Sequence, residues 1–152
     1  KKMGYISELR KYVGHSPIMA TSIMCIIYDK EKGILFEKSA DFGVWCVPGG
    51  ALEIGESLEE GLKREVKEET SLEIFNPKLF DVRSNIHIVY PNEDEVYYTE
   101  VIYEVSEYEG NLKPDEESIE LKWFQIEELP DNISPIQIEI IKKFVATLKI
   151  GG

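Results

Sequence analysis

Between Gly50 and Leu72 a glycine-led loop runs into a helical pattern that carries more carboxylate than an isolated helix tolerates. Pro48-Gly49-Gly50 interrupts any preceding strand and opens backbone angles closed to other residues. Ser57 with Glu60 three residues on is a capping-box signature, so the spacing predicts a helix from near Leu58. Leu58, Leu62 and Val66 recur every fourth residue and predict one buried stripe. At about 3.6 residues per turn, Glu65 and Glu69 stand one turn apart with Glu68 beside them. Like charges so placed cost a free helix about 0.2–0.5 kcal/mol per pair. A sequence that accepts that repulsion implies something that neutralises it, and a hard divalent cation is the natural candidate, since Mg²⁺ takes carboxylate and phosphate oxygens. Arg64 is spaced to pair with Glu68. Gly61, one turn before Glu65, costs the helix about 1 kcal/mol relative to alanine, which points to a packing or clearance role.

These residues resemble the Nudix hydrolase family. Its 23-residue box is filled at the right spacing by Gly50, Glu56, Arg64, Glu65, Val66, Glu68, Glu69 and Leu72. One position departs: where the family has a second glycine, which lets the chain leave the helix left-handed, this chain has Ser71. The lead-in Trp45-Cys46-Val47-Pro48-Gly49-Gly50 and the late Trp123-Phe124 extend the likeness over most of the chain. The resemblance implies an α+β fold, a Nudix-type α/β/α sandwich with a mixed sheet packed between helices. It implies a Mg²⁺-dependent hydrolase, with Mn²⁺ as a substitute, that cleaves the pyrophosphate of a nucleoside diphosphate linked to another group. That class spans nucleotide sugars, ADP-ribose, dinucleoside polyphosphates and nucleoside triphosphates. Glu65, Glu68 and Glu69 are the implied metal ligands, with the Gly49 carbonyl nearby, and Arg64 orients a carboxylate. Glu56 is a structural partner, with Arg64 as its candidate neighbour. The competing reading is a catalytically silent nucleotide-binding regulator on the same fold; such proteins lose box carboxylates, and here all are present.

A chain of 152 residues suits one domain over 1–152, with residues 1–16 as an N-terminal arm or short helix. Hydrophobic residues at 43% and charged residues at 30% make an ordinary globular balance. The net charge of −12 disfavours a nucleic-acid polymer or an anionic membrane surface as partner, because both need basic patches. A nucleotide-type small molecule stays open, since a bound cation reverses the local field; so does a homodimer. No apolar run reaches the roughly 20 residues of a membrane span. Cys25 and Cys46 lie in apolar runs without ligand-like spacing and read as reduced core residues of a cytoplasmic protein.

The pattern predicts strands at residues 18–28, 33–38, 44–47, 79–90, 96–106 and 118–126. Ser134-Pro135 reads as the cap and first turn of a closing helix whose apolar face carries Ile138, Ile141, Val145 and Leu148, with Phe144 beside it. Asp115, Glu116, Glu117 and Glu120 are candidates for a carboxylate reaching in from a later loop, and Glu117 is preferred, six residues before Trp123, an offset like one family pattern. His15 and His87 are weak candidates for substrate contact. Trp45, Tyr90, Tyr97 and Tyr98 could stack on a base, and Asn132 could read a purine edge, although aromatics in strands more often pack in cores.

Overall fold

The computed structural model describes residues 4–116 and 118–151. In chain order the elements are α1 (Tyr5–Val13), β1 (Ile18–Asp29), β2 (Gly33–Ser39), β3 (Trp45–Cys46), β4 (Gly49–Ala51), α2 (Leu58–Thr70), β5 (Glu73–Phe75), β6 (Lys78–Val89), β7 (Glu95–Val105), β8 (Glu107–Glu109), β9 (Ser118–Phe124) and α3 (Ile138–Gly151).

β1 is the axis of the molecule. Its run Ile23-Met24-Cys25-Ile26-Ile27 is buried on both faces, as a continuous apolar strand must be when helices cover both sides of a sheet. It pairs in parallel with β7 from Ile18 against Val96 to Ile27 against Val105. β6 and β7 form the expected hairpin. The main sheet runs β3-β2-β1-β7-β6, with β4 on β1 and β9 on β2. On one face Leu62 and Val66 of α2 pack against Ile23, Cys25 and Ile27; on the other Ile140, Ile141 and Phe144 of α3 pack against Met24 and Ile26. The mixed sheet between helices is the expected α/β/α sandwich. β5 and β8 form a separate two-stranded ribbon that the pattern does not show, because three residues carry no readable period.

β1 and β2 share only the ladder pairs Tyr28–Ile34 and Asp29–Gly33 before they part. β4 then takes the edge of β1 over Ser22–Met24, while β3 takes that of β2 over Glu37–Lys38. The sheet is thus split, and the link Val47-Pro48 crosses the gap. The two glycines expected only to interrupt the chain are strand residues. Gly49 must be glycine, since a Cβ there would lie 2.3 Å from the carbonyl oxygen of Ile23.

The closing helix begins later than expected. Ser134–Gln137 is a turn, closed by the Gln137 N–H on the Ser134 carbonyl, and Gln137 accepts the first helical bond, from Ile141. The rotation this imposes buries Ile140 with Ile141, Phe144 and Val145, and leaves Ile138 at the exposed margin.

Candidate active site

α2 starts where its capping box predicts: Ser57 Oγ accepts from the Glu60 N–H and Glu60 answers to the Ser57 N–H. It ends on Ser71, whose φ of 69° is the left-handed exit usually given to glycine. Gly61 has the clearance role expected of it, since a Cβ would meet Leu52 and Ile23 Cδ1 at 2.7 and 2.8 Å. With Leu62 and Val66 against the sheet, the face one step round the helix looks into the split between β1 and β2. There Glu65 and Glu69 are both buried, at 5% and 7% exposure.

Two backbone features seat them. The Gly49 N–H donates to Glu69 Oε2 at 3.1 Å. The Glu65 carboxylate lies where a Cβ on Gly50 would be, 2.6 Å away, so only glycine lets it in. Glu37 of β2, also buried, faces them from the other bank and hydrogen-bonds Glu69. Burial pushes the Glu69 pKa well above the ordinary carboxylate value, with the charges of Glu37 and Glu65 adding to it and the Gly49 N–H opposing. A carboxyl–carboxyl hydrogen bond needs a proton between its partners; an oxygen-seeking cation can take that proton's place. By the chemistry of its donors the set fits such a cation. Glu37 carries no signal in the sequence: it is one glutamate in a strand, and only the pairing of β2 beside the split brings it here.

Arg64 organises the outer side. It grips Glu56 through two nitrogens, Nη2 to Oε1 at 2.9 Å, and its Nη1 donates to Glu65 at 2.8 Å and Glu68 at 3.3 Å. This is the orienting role expected of Arg64, and Glu56 is its main partner. Glu68 is 41% exposed and turned to Arg64, apart from the buried pair. As the side chains stand, no three acidic, histidine or cysteine groups among the described residues close around one point.

The other candidates are dispersed. Glu117 lies outside the described residues. Glu120 is paired across from Lys38 in the sheet and exposed. His15 contacts Asp94 at 2.6 Å; His87 contacts Glu95 at 2.7 Å and stacks on Tyr97. Trp45 is core, edge-on to Phe124. Asn132 ties two loops together through the Gly43 carbonyl. Tyr90 and Tyr98 alone reach the cleft. They line, with Met24, Gly49, Gly50 and Gln137, a cavity of about 160 Å³ against the split.

The NUDIX domain family model matches residues 19–144. The chain belongs to the Nudix family. A Nudix hydrolase of Bacillus subtilis, YvcI, named as uncharacterized, is 30% identical over 69% of this chain and 65% of its own length. The NAD-capped RNA hydrolase NudC of Vibrio atlanticus is 33% identical over 80% of this chain and 43% of its own. The chain thus spans less than two thirds of either relative. The crystal structure of the MutT protein from Bacillus halodurans superposes with a TM-score of 0.68 at 29% identity, covering 81% of this chain and 80% of that one. No helix among the described residues is long and apolar enough to cross a membrane.

Proposed function

We propose that this Nudix protein is a Mg²⁺-dependent hydrolase of the pyrophosphate link in a nucleoside diphosphate joined to a second group, with Mn²⁺ able to substitute. The observation that carries the reading is the facing of Glu65, Glu69 and Glu37 across the split beside Gly49 and Gly50. Glu65, Glu68 and Glu69 hold the cation, with Gly49 at its edge. When bound, the cation neutralises phosphate oxygens and lowers the pKa of a water. The chain's own residues do the rest. Glu69, buried and pinned by the Gly49 N–H, is held in fixed geometry and is, on this reading, the box carboxylate on which proton transfer depends. Arg64 positions Glu65 and holds Glu68 ready on the rim. Gly50 leaves the space that the Glu65 carboxylate takes. Glu117 is the candidate carboxylate outside the box.

A panel of nucleotide sugars, ADP-ribose, dinucleoside polyphosphates and oxidised nucleoside triphosphates with Mg²⁺, followed by phosphate and nucleoside monophosphate release, tests this. Activity should vanish in excess chelator, rise toward mildly alkaline pH, and fall about 100-fold or more in Glu69→Gln. Full activity in chelator, or in Glu69→Gln, would overturn the assignment. A Glu117→Gln protein near wild type would return the whole proton-transfer role to the box.

A further inference from the structure

A second and larger cavity, about 330 Å³, lies beyond the cleft and is roofed by α1. Tyr90 and Tyr98 line both cavities, and their hydroxyls, 2.8 Å apart, form the threshold between them. The far walls are Ile6 and Arg10 of α1, Asp41 on the turn after β2, and Asn92 and Asp94 of the β6–β7 loop. Ile6 and Arg10 precede the stretch, residues 19–144, that matches the family. One wall of this lobe is therefore built by a part of the chain outside the matched stretch.

The chemistry of its walls selects its occupant. Arg10 is turned mainly to the protein's own oxygens. Its Nη1 donates to the carbonyls of Gly14 and Ser16 and its Nη2 to that of Glu95, while Nε is buried, without a hydrogen bond among the described residues, and 3.6 Å from Asp94 Oδ2. Asp41 and Asp94 outnumber the single guanidinium of Arg10, so the lining is net negative and disfavours a further phosphate. The Asn92 amide is spent on Asp94. What else lines the lobe is the exposed Asp41, whose carboxylate only accepts, and the side chains of Tyr90 and Tyr98. A volume at the low end of small-molecule sites holds a single ring.

We propose that this lobe binds the uncharged, diol-bearing sugar ring at the far end of the pyrophosphate, a hexose or a terminal ribose, with its hydroxyls donating to Asp41 and its apolar side on the ring of Tyr90. The inference rests on the hydrolase reading above and narrows it: the lobe disfavours substrates that end in a third phosphate.

Calorimetric titration in Mg²⁺ tests this without turnover. The probes are methylene-bridged, non-hydrolysable analogues of a nucleoside diphosphate hexose, a nucleoside diphosphate ribose and a nucleoside triphosphate, in adenine and uracil series. The wild type should bind one or both sugar analogues about tenfold or more tighter than the triphosphate analogue, a difference of about 1.4 kcal/mol. The two sugar arms tell hexose from ribose. Asp41→Asn, on an exposed turn, should reduce that preference to near parity, and Ile6→Trp, which fills the lobe, should abolish it. Both should bind the triphosphate analogue as the wild type does. A wild type that prefers the triphosphate analogue, a preference untouched by both variants, or no binding of any analogue would overturn the proposal. Failure of the natural compounds to be hydrolysed, with the binding preference intact, would sink the hydrolase reading and leave the sugar lobe standing.

Discussion

Arg64 shows how one side chain settles a site's resting charge. Its bond to Glu56 holds that carboxyl below the ordinary value of 4.5, against a small desolvation cost. A carboxylate whose pKa is lowered on folding adds stability that is fully present above its unfolded pKa and is lost as pH falls through the folded value. Glu56→Gln should therefore cost about 1–2 kcal/mol at neutral pH, and the gap should narrow as pH falls from the ordinary value of 4.5 through the lowered folded value. Denaturant unfolding of both proteins at pH 7 and pH 3 measures this; a gap that persists in acid would show that the loss is steric. Ser71 is the other instructive residue. It holds a left-handed conformation at a box position where glycine is the rule, and its hydroxyl reaches only the Lys113 carbonyl at 3.4 Å. A non-glycine residue pays about 1 kcal/mol for that geometry. Ser71→Gly should recover a comparable amount as a higher melting temperature, offset in part by glycine's larger unfolded-state entropy.

At the scale of elements, α2 carries the site because its two faces are specified independently. Leu62 and Val66 are fully buried against the sheet, each contributing about 1.5–3 kcal/mol, and they set the rotation that turns Glu65 and Glu69 into the split. Val66→Asp would bury an unpaired charge in that contact. It should unfold the domain or cost several kcal/mol by denaturant titration, and an unchanged midpoint would mean the helix is seated otherwise. α1 is fastened differently. None of its residues is fully buried. It is held at its start by the Tyr5 N–H on Glu53 at 2.7 Å, and near its end by Arg10 on the carbonyls of Gly14, Ser16 and Glu95. A helix held by polar ties at both ends, over a cavity, is suited to shaping a binding site.

For the whole molecule, the proposed cation binding predicts that the folded state is a better cation binder than the unfolded chain. Mg²⁺ at about 100 times its dissociation constant should add about 2.7 kcal/mol of stability, read as a rise in melting temperature over the same protein in chelator. Glu69→Gln should lose that rise, and a wild-type melting temperature indifferent to Mg²⁺ would contradict the metal assignment. The local pieces were legible in the sequence because their causes are local: the capping box, the apolar stripe and the left-handed exit at Ser71 depend on offsets of a few residues along one helix. The long strands and the sandwich were legible too, since strands buried on both faces and helices with one apolar stripe have few ways to cover each other. What lay hidden depends on approach across the chain. The phase of α3 was set by the turn that Gln137 closes rather than by the proline before it. Glu37, the strand pairing of Gly49–Ala51 and the lobe under α1 exist because β1 and β2 part after two ladder pairs, and because residues about 80 positions apart, Arg10 and Asp94, close over the gap. Periodicity records which face a residue takes; only the packed sheet decides which distant residue stands opposite it.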